Sequence, residues 1–481
     1  MNKQEMLALI DSRKDVFTDI SDRIWDYAET AFEEFQSAEC LCEVLEQEGF
    51  KVEKGIGGIA TAFSGVYGSG RPVIGILGEF DALSGMSQEA GTDLRQEVKA
   101  GGNGHGCGHN MFGSASLAAA VAVKEYLRAN KRSGTVIYYG CPGEEGGSGK
   151  AFMAREGVFD ELDVAFGWHP AGFNGIMDVS TLANYQVKYS FKGKASHAAA
   201  SPHLGRSALD AVELMNVGVN FLREHVIQEA RIHYAITNSG GFSPNVVQPD
   251  ADVLYLIRAP KSNQVEEIYQ RINKIAQGAA MMTETEVTID FVKACANIVP
   301  NKTLHQVMFE NFTDDLLPHY TDEELAFAAR IEATMGDIPI PVRDMTNLSE
   351  ADSRECLKRL AGKSLCDLIL PFSKEREVPV LMGSSDVGDV SWNVPTGQIV
   401  TACHSLRTPA HSWQLVSQGR TSIAHKGLVL AAKVIAAASV DVLENPEIVT
   451  AAKKELAERL DGHTYQPAIP KDVKPRAISS L

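Results

Sequence analysis

The first part of the chain alternates between stretches with helical spacing and short, continuously apolar stretches. Apolar residues recur every three or four positions between residues 2 and 49, which predicts two or three helices. Short strands are predicted over residues 52–66, and buried strands over residues 72–78, 135–140 and 164–168. The alanine-rich stretch 111–127 predicts a helix between the first two buried strands. This alternation predicts an α/β fold with a mainly parallel, mixed sheet flanked by helices.

The pattern changes between residues 185 and 297. Strands are predicted over residues 186–194, 233–237, 253–259 and 286–294, and helices over residues 207–225 and 264–282. The order strand-helix-strand-strand-helix-strand is typical of a small α+β sandwich, in which two helices cover one face of a four-stranded sheet. We therefore expect residues 185–297 to form an inserted domain. Residues 1–184 and 298–481 would form the two parts of the larger domain.

The last part of the chain is less informative. Residues 303–377 are polar, acidic and helical in pattern, and the sequence assigns them no chemistry. Strands are predicted over residues 378–382 and 397–402, followed by a long alanine-rich helix over residues 421–443. Residues 467–475 are predicted to form an extended tail.

The composition is that of an ordinary globular protein and limits the ligands to be expected. With 481 residues, of which 44% are hydrophobic, the chain is too long for one compact core. A net charge of -17 argues against a nucleic-acid partner, because phosphates require a basic face, and favours small molecules. We expect no membrane span and no secretory signal. The eight cysteines are scattered, so a reducing cytoplasm is expected.

Cys107 and His109 lie one residue apart in a glycine-rich loop and are the first candidates for chemistry. Thiolate and imidazole both suit zinc, and glycines allow the tight turn that would direct both side chains at one point. The alternative is that Cys107 is a small buried apolar residue and that His109 is an ordinary loop histidine.

Acidic and imidazole side chains follow the other predicted strands. Glu144 and Glu145 stand in a glycine loop after the second buried strand, where one carboxylate can bind a metal ion while the other acts as the base for a water molecule. His169 follows the third buried strand, and His411 comes from a turn. Alternatively, the two glutamates lie in a solvated turn and the histidines make hydrogen bonds within the fold.

Several other chemistries lack their sequence signatures. Residues 143–150 superficially resemble a phosphate-binding loop, but Glu144 stands where that loop needs glycine, and Ala151 where it needs serine or threonine. The sequence contains no H-E-x-x-H helix and no G-x-S-x-G turn, which excludes a single-zinc protease and a serine hydrolase. Five candidate ligands are enough for two metal ions that share a bridging ligand. They are Cys107, His109, Glu145, His169 and His411.

These residues stand in motifs that resemble those of a known family. The motifs are GEFDAL (78–83), GCGHN (106–110), PGEEG (142–146), His169 and GKASHAA (193–199). In this order they are similar to the motifs of the aminoacylase and carboxypeptidase superfamily of co-catalytic metallopeptidases. The cysteine form of the metal loop resembles the amidohydrolase branch, which includes hydrolases of auxin–amino acid conjugates. Within that branch the resemblance extends to PGEEGGSGK (142–150), SPHLGRSALD (201–210) and HSWQLVSQGR (411–420).

The resemblance implies a role for each candidate residue. Cys107 takes the place of the bridging ligand, which is aspartate in most of the superfamily, and Glu144 is the general base and acid. Where many relatives have His-x-Asp, this chain has Glu79 and Asp81, so His109 would replace the missing histidine while the two acids orient the ligands. The remaining ligands of two Zn²⁺ or Mn²⁺ ions would be His109, Glu145, His169 and His411.

The inserted domain resembles the dimerisation or lid domain of the family. The resemblance implies that His197 reaches the partner subunit's site, binds the substrate there and helps to stabilise the tetrahedral oxyanion. Asn245 and Arg258 would hold the carboxylate of the substrate. From the residues alone, His197 could instead cap a turn, and Arg258 could lie on a solvated face. The expected assembly is a homodimer through this domain or a heteromer with a related subunit.

The expected function is that of a metal-dependent amidohydrolase acting on a small-molecule N-acyl amino acid. p-Aminobenzoyl-glutamate is the first expected substrate, and another N-acyl amino acid conjugate or a dipeptide is the second. A non-catalytic binding or regulatory subunit is the alternative from another class, and the complete set of ligands with Glu144 argues against it. A redox protein that uses Cys107 is a third hypothesis, which predicts a titratable reactive thiol.

Overall fold

Two large sheets and one short strand pair organise the computed structural model, which describes residues 1–343 and 345–477. Asp344, within the polar segment 303–377, and the last four residues of the expected part 298–481 lie outside the described residues. The strands are β1 (Lys51–Lys54), β2 (Phe63–Ser69), β3 (Val73–Glu79), β4 (Gly134–Cys141), β5 (Val164–Ala171), β6 (Gly175–Ile176), β7 (Ser180–Thr181), β8 (Ala183–Lys192), β9 (Arg231–Asn238), β10 (Asp250–Ala259), β11 (Glu286–Cys295), β12 (Val380–Leu381) and β13 (Thr396–Ala402). The helices are α1 (Lys3–Tyr27), α2 (Phe35–Gln47), α3 (His109–Asn130), α4 (Glu144–Gly147), α5 (Gly149–Arg155), α6 (Ala208–Leu222), α7 (Ser262–Thr283), α8 (Lys302–Glu310), α9 (Asp322–Ala333), α10 (Glu350–Arg359), α11 (Val387–Ser391), α12 (Trp413–Gln418), α13 (Ser422–Glu444) and α14 (Pro446–Leu460).

The larger sheet has seven strands in the order β1-β2-β4-β3-β5-β13-β6. Its four central strands, β4, β3, β5 and β13, are parallel, and β1, β2 and β6 pair in antiparallel fashion at the two edges. The predicted mainly parallel, mixed sheet is therefore confirmed. Because the central strands are parallel, their carboxyl ends meet at one edge of the sheet.

Helices cover both faces of this sheet. On one face, α1, α3 and α13 pack against one another and against the strands, and α3 is buried along most of its length. The many alanines of α3 and α13 allow this close packing because small side chains let the helix axes approach. On the other face, α5 and α11 contribute to a second core. The start of α3 is thereby held rigidly beside the carboxyl ends of the strands.

The second sheet has four antiparallel strands in the order β11-β8-β10-β9. Along β8 the buried side chains alternate with more exposed ones, as expected for a sheet with one covered face. The covering helices are α6 and α7, and the chain order of the six elements is the predicted one. The α+β unit of the predicted fold class is therefore confirmed, as is the mixed sheet.

Some predicted element boundaries differ from the structure. Strand β5 runs to Ala171, past its predicted end, so His169 lies within the strand instead of after it. The predicted strand 378–382 is reduced to the two residues of β12, which pair with β7. The polar segment 303–377 contains most of α8, together with α9 and α10 joined by irregular chain. None of the helices in residues 1–343 and 345–477 has both the length and the apolar character needed to cross a membrane.

Gly427 marks the closest approach of α13 to the sheet. A Cβ atom added there would lie close to the carbonyl oxygen of Ala402 and 2.5 Å from Sγ of Cys403. Both contacts are much shorter than van der Waals distance, and the first is to backbone that cannot rotate away. The sequence therefore needs glycine at this position for α13 to pack on β13.

We predict that Gly427→Ala lowers the free energy of unfolding by about 1–3 kcal/mol, because the added methyl group overpacks the core. The matched control is Gly278→Ala in α7, where an added Cβ meets no atom within 4 Å. That change should raise the free energy of unfolding by about 0.5–1 kcal/mol through helix propensity. Urea unfolding of both variants measures the difference. Equal effects of the two changes would contradict the packing proposed for α13.

Candidate metal centre

The carboxyl ends of the parallel strands bring the candidate residues together. Strand β3 ends at Glu79, β4 leads into the turn that carries Glu144 and Glu145, and β5 contains His169. The loop before α12 adds His411, whose backbone N–H donates to the carbonyl of Gly106. Residues far apart in sequence thus surround one point at the edge of the sheet.

The glycine-rich loop directs Cys107 and His109 toward this point. Gly108 has φ 79°, in the left-handed region, and a Cβ there would meet the side chains of Met111 and Pro170. His109 is the first residue of α3, and Cys107 Sγ lies 3.4 Å from Nε2 of His169. Glycine suits this position because any other side chain would meet both the left-handed backbone and these close contacts.

Cys107 belongs to two groups of possible metal ligands at once. One group contains Cys107, His109 and His169, and the other contains Cys107, Glu145 and His411. Within each group the ligand atoms lie within 4.8 Å of one another. All five residues predicted as ligands are brought together, and the thiol is the member that the two groups share. Such an arrangement can hold two metal ions with the sulfur between them.

The donor atoms fit cations and are incompletely paired within the protein. Nε2 of His109 and Oε1 of Glu145 are buried and have no hydrogen-bond partner among the described residues. Glu145 Oε2 lies 3.4 Å from Nε2 of His411. Burial by itself raises the pKa of Glu145, but the hydrogen bond with His411 and the charge of His109 lower this pKa to about 2. An ionised carboxylate beside imidazole nitrogens is the donor chemistry that Zn²⁺ and Mn²⁺ accept.

Burial shifts the pKa values of Cys107 and His169 in opposite directions. Burial, followed by the charge of Glu145, raises the pKa of Cys107 well above its ordinary value. Burial lowers the pKa of His169 to about 4, so this imidazole is neutral at neutral pH and can donate its lone pair to a metal ion. A coordinated cation would deprotonate the thiol.

Asp81 fixes two of the candidate ligands. Its Oδ1 lies 2.8 Å from Nδ1 of His109, and its Oδ2 accepts a hydrogen bond of 2.8 Å from the backbone N–H of Glu145. Because a carboxylate can only accept, the first bond places an imidazole proton on Nδ1 and leaves Nε2 toward the centre. The predicted orienting role of Asp81 is consistent with these two contacts.

Glu144 lies beside Glu79 in a strongly acidic region. Glu79, His109 and Glu144 form a third group whose ligand atoms lie within 4.8 Å of one another, and Oε2 of Glu79 lies 3.2 Å from Nε2 of His109. Burial, followed by the charges of Glu79, Asp386 and Glu145, raises the pKa of Glu144 well above its ordinary value. A carboxyl group with a raised pKa is suited to holding and releasing a proton.

Two buried residues that the sequence did not single out, one basic and one acidic, support this region. Lys150 is fully buried, and its Nζ lies 2.7 Å from Oε1 of Glu79 and 2.6 Å from Oδ1 of Asp386. Glu34 is also fully buried and accepts a hydrogen bond from the backbone N–H of Gly143. Lys150 stands in the PGEEGGSGK stretch, and this motif could have marked it as a candidate. Nothing in the pattern around Glu34 distinguishes it from a surface acid.

Arg258, His197 and Asn245 all come from the α+β unit, where Arg258 is partly buried and the other two are exposed. Arg258 Nη1 donates to Oγ of Ser384 over 3.1 Å, and its buried Nε has no hydrogen-bond partner among the described residues. His197 and Asn245 are exposed, and Nδ1 of His197 accepts hydrogen bonds from the backbone of the turn that follows it. His197 belongs to none of the three groups of possible metal ligands within residues 1–343 and 345–477.

Five of the other histidines, to which the sequence assigns no chemistry, also lie outside those three ligand groups of the described residues. His105 Nε2 lies 2.9 Å from the carbonyl of Ile24, and His425 Nε2 lies 2.8 Å from Oδ1 of Asp22. The other three are His203, His233 and His404.

Comparison with known proteins places this arrangement in a family. Residues 75–468 match the family model described as peptidase family M20/M25/M40. The chain belongs to this family. It is also 50% identical over 471 residues to one of the subunits of p-aminobenzoyl-glutamate hydrolase from Escherichia coli (strain K12), an alignment that covers 98% of each chain. The suspected family is therefore confirmed, and so is its chemistry, that of a metallopeptidase acting on amide bonds.

Solved structures share the fold. An aminobenzoyl-glutamate utilization protein from Klebsiella pneumoniae superposes with a TM-score of 0.55 at 17% identity, covering 89% of this chain and 98% of the other. A dinuclear metal-binding peptidase of family M20 from Bacillus subtilis superposes with a TM-score of 0.53 at 17% identity, covering 90% of this chain and 99% of the other. At this identity the likeness concerns the fold alone.

We predict that Asp81→Ala weakens Zn²⁺ binding by about 10–100-fold, because the orientation of His109 and the backbone of Glu145 are both released. Competition with a chelator measures the affinity. The matched control is Asp22→Ala, which removes a carboxylate that also lies 2.8 Å from a histidine but belongs to none of the ligand groups found among the described residues. Unchanged Zn²⁺ affinity in Asp81→Ala would show that the carboxylate does not orient the ligands.

Proposed function

We propose that this protein is a metal-dependent amidohydrolase that cleaves p-aminobenzoyl-glutamate to p-aminobenzoate and glutamate. The single observation that carries the proposal is the position of Cys107 in two ligand groups beside Glu144. The 50% identity to a component of p-aminobenzoyl-glutamate hydrolase supports the choice of substrate. Another N-acyl amino acid conjugate or a dipeptide is the second candidate substrate.

We infer that the two ligand groups hold two divalent ions, Zn²⁺ or Mn²⁺, with Cys107 as the bridge. His109 and His169 would complete one set of ligands, and Glu145 and His411 the other. The thiolate favours zinc, although the imidazole and carboxylate ligands also accept manganese. When bound, the ions would polarise the amide carbonyl and lower the pKa of a water molecule at the centre.

Glu144 is proposed as the general base and acid. Its side chain belongs to the third ligand group, with Glu79 and His109, and to neither of the two groups that contain Cys107. It would accept a proton from the attacking water and return that proton to the leaving nitrogen, for which its raised pKa is suited. Glu79 would stay bound to Lys150 and would help to orient the side chains around the base.

Arg258 is proposed to bind the carboxylate of the glutamate moiety. The guanidinium has an unpartnered buried Nε, and it has no ion pair with an acid among the described residues. Burial lowers the pKa of Arg258, which reflects a charge held away from water without a counterion. A substrate carboxylate would supply that counterion with charge-assisted hydrogen bonds. Asn245 and His197 would contribute from a neighbouring subunit, since both are exposed here.

We propose that residues 185–297 form a lid and dimerisation domain, and that residues 1–184 and 298–481 form the catalytic domain. Strand β9 is at the edge of its sheet, and its Tyr234 and Ile236 are 41% and 45% exposed. On α6, Val217 and Phe221 are 51% and 72% exposed. An apolar helix face and an open sheet edge suit a subunit interface. The partner would be a second copy or a related chain, because the Escherichia coli relative is named as one subunit.

A reducing compartment, the cytoplasm, is proposed for the protein. All eight cysteines are free of disulfide bonds, and seven of them are buried. The thiol of Cys107 must be reduced to bind metal, which a reducing compartment ensures.

We predict that Glu144→Gln reduces kcat for p-aminobenzoyl-glutamate by about 100–10,000-fold, because the proton has no acceptor. The metal content should stay at the wild-type value, since Glu144 is not a bridging ligand. Release of p-aminobenzoate measures turnover, and elemental analysis measures the metal. Glu53→Gln, which changes an exposed glutamate of β1, is the control. Wild-type turnover by Glu144→Gln would refute the assignment of the base.

We predict that Arg258→Met lowers kcat/KM for p-aminobenzoyl-glutamate by roughly 100-fold, because one charged hydrogen-bonding group is lost. An analogue with a primary amide in place of the α-carboxylate should be affected much less. The control is Arg231→Met, the exposed neighbour of Arg258 across strands β9 and β10. An equal loss for both substrates would argue against recognition of the carboxylate.

We predict that Phe221→Glu converts a dimer of this chain into monomers, because a charge replaces the most exposed apolar side chain of α6. Light scattering after gel filtration measures the mass. The control is Leu325→Glu on α9, where the leucine is 42% exposed. A dimer that survives Phe221→Glu but not Leu325→Glu would place the interface elsewhere.

A further inference from the structure

The turn that carries the proposed base is built on glycine and on an aromatic ring. Gly143 has φ 67°, in the left-handed region, and precedes the four-residue helix α4. A Cβ on Gly143 would lie 2.8 Å from the ring of Phe32, and a Cβ on Gly147 would also meet this ring. The turn therefore rests on the segment between α1 and α2. That segment also contributes a buried carboxyl group.

Glu34 lies in this segment and is completely buried. Its Oε1 accepts a hydrogen bond of 2.9 Å from the backbone N–H of Gly143, and its Oε2 accepts one of 2.9 Å from the hydroxyl of Thr61. A buried carboxyl group without hydrogen bonds would be strongly unfavourable, so these two contacts fix its position. Glu34 thereby holds the residue directly before Glu144.

The backbone on the other side of Glu144 is held in the same way. The N–H of Glu145 donates to Oδ2 of Asp81 over 2.8 Å. The two N–H groups that flank the base are thus each bound by a buried carboxyl group from a different element. Glu34 thus holds the Pro142–Gly143 peptide and Asp81 holds the Glu144–Glu145 peptide, which restricts the backbone on both sides of Glu144 and limits the directions its side chain can take.

We infer that Glu34 is a positioning residue for catalysis, which acts by fixing the Gly143 peptide and so the direction of the Glu144 side chain. The inference rests on the proposed role of Glu144 as the base. Glu34 belongs to none of the ligand groups found among the described residues, and its contact with the turn is made to the backbone N–H of Gly143. Small displacements of a reacting group can cost about 100-fold in rate, so such support has a measurable consequence.

The protonation state of Glu34 determines which substitution preserves its contacts. Burial, with a further contribution from the charge of Asp81, raises the pKa of Glu34 to about 8. A neutral carboxyl group is closely imitated by the amide of glutamine. In Glu34→Gln the amide oxygen can accept from Gly143, and the amide nitrogen can donate to the hydroxyl of Thr61.

The test compares four variants by the hydrolysis of p-aminobenzoyl-glutamate, with metal content and melting temperature measured for each. Glu34→Met removes both hydrogen bonds at similar volume, and Glu34→Asp withdraws the carboxyl group from Gly143. Both should lower kcat by roughly 10–100-fold with little change in KM or metal content. Glu34→Gln should keep kcat within about threefold of wild type, and so should Thr61→Val, which leaves the bond to Gly143 intact. If Glu34→Met does not fold, Glu34→Asp carries the comparison.

Combination with Glu144→Gln separates positioning from general stability. If Glu34 acts through Glu144, adding Glu34→Met to Glu144→Gln should cause almost no further loss of the residual rate. A further loss equal to that in the wild-type background would overturn the inference, as would wild-type kcat in metal-loaded Glu34→Met and Glu34→Asp. Full activity of Glu144→Gln would be a different result, because it would refute the proposed base itself.

Discussion

Negative charge gathered at the carboxyl ends of parallel strands is the constraint on which this structure depends. Glu79, Asp81, Glu144 and Glu145 converge there because four neighbouring strands run in the same direction. Burial of so many carboxyl groups is unfavourable without compensating charge. The protein supplies part of this charge with the buried ammonium of Lys150. Two divalent ions, which we propose as its cofactors, would supply the rest.

The candidate ligands differ in how deeply the fold buries them. His109 begins a long buried helix, and His169 lies within a central strand, so both are fixed by the core. His411 has φ 56° and stands in a loop, with 54% of its side chain exposed. Arg258 lies in the four-stranded sheet and donates a hydrogen bond to Ser384, which follows β12. We infer that binding of substrate between the two units would order the more exposed side of the centre.

Much of this arrangement could be predicted from the sequence, and the reasons are physical. Hydrophobic spacing predicts both sheets because each buried face requires a regular pattern, and parallel strands place the residues after them at one edge. The position of His169 was predicted, although the strand continues beyond it. Lys150 and Glu34 could not be recognised, because their partners Asp386 and Gly143 are distant in sequence. In the sequence alone, a charged residue that the fold buries beside a distant partner cannot be distinguished from a charged residue at the surface.

The central claim is that Cys107 is shared by two metal ions, and anomalous diffraction from crystals of the zinc-loaded protein tests it most directly. Data collected on both sides of the zinc absorption edge locate the ions independently of the protein. The account predicts two peaks, each about 2.3 Å from Sγ of Cys107, with the histidines and Glu145 divided between them. A single peak, or two peaks with the thiol bound to neither, would contradict it.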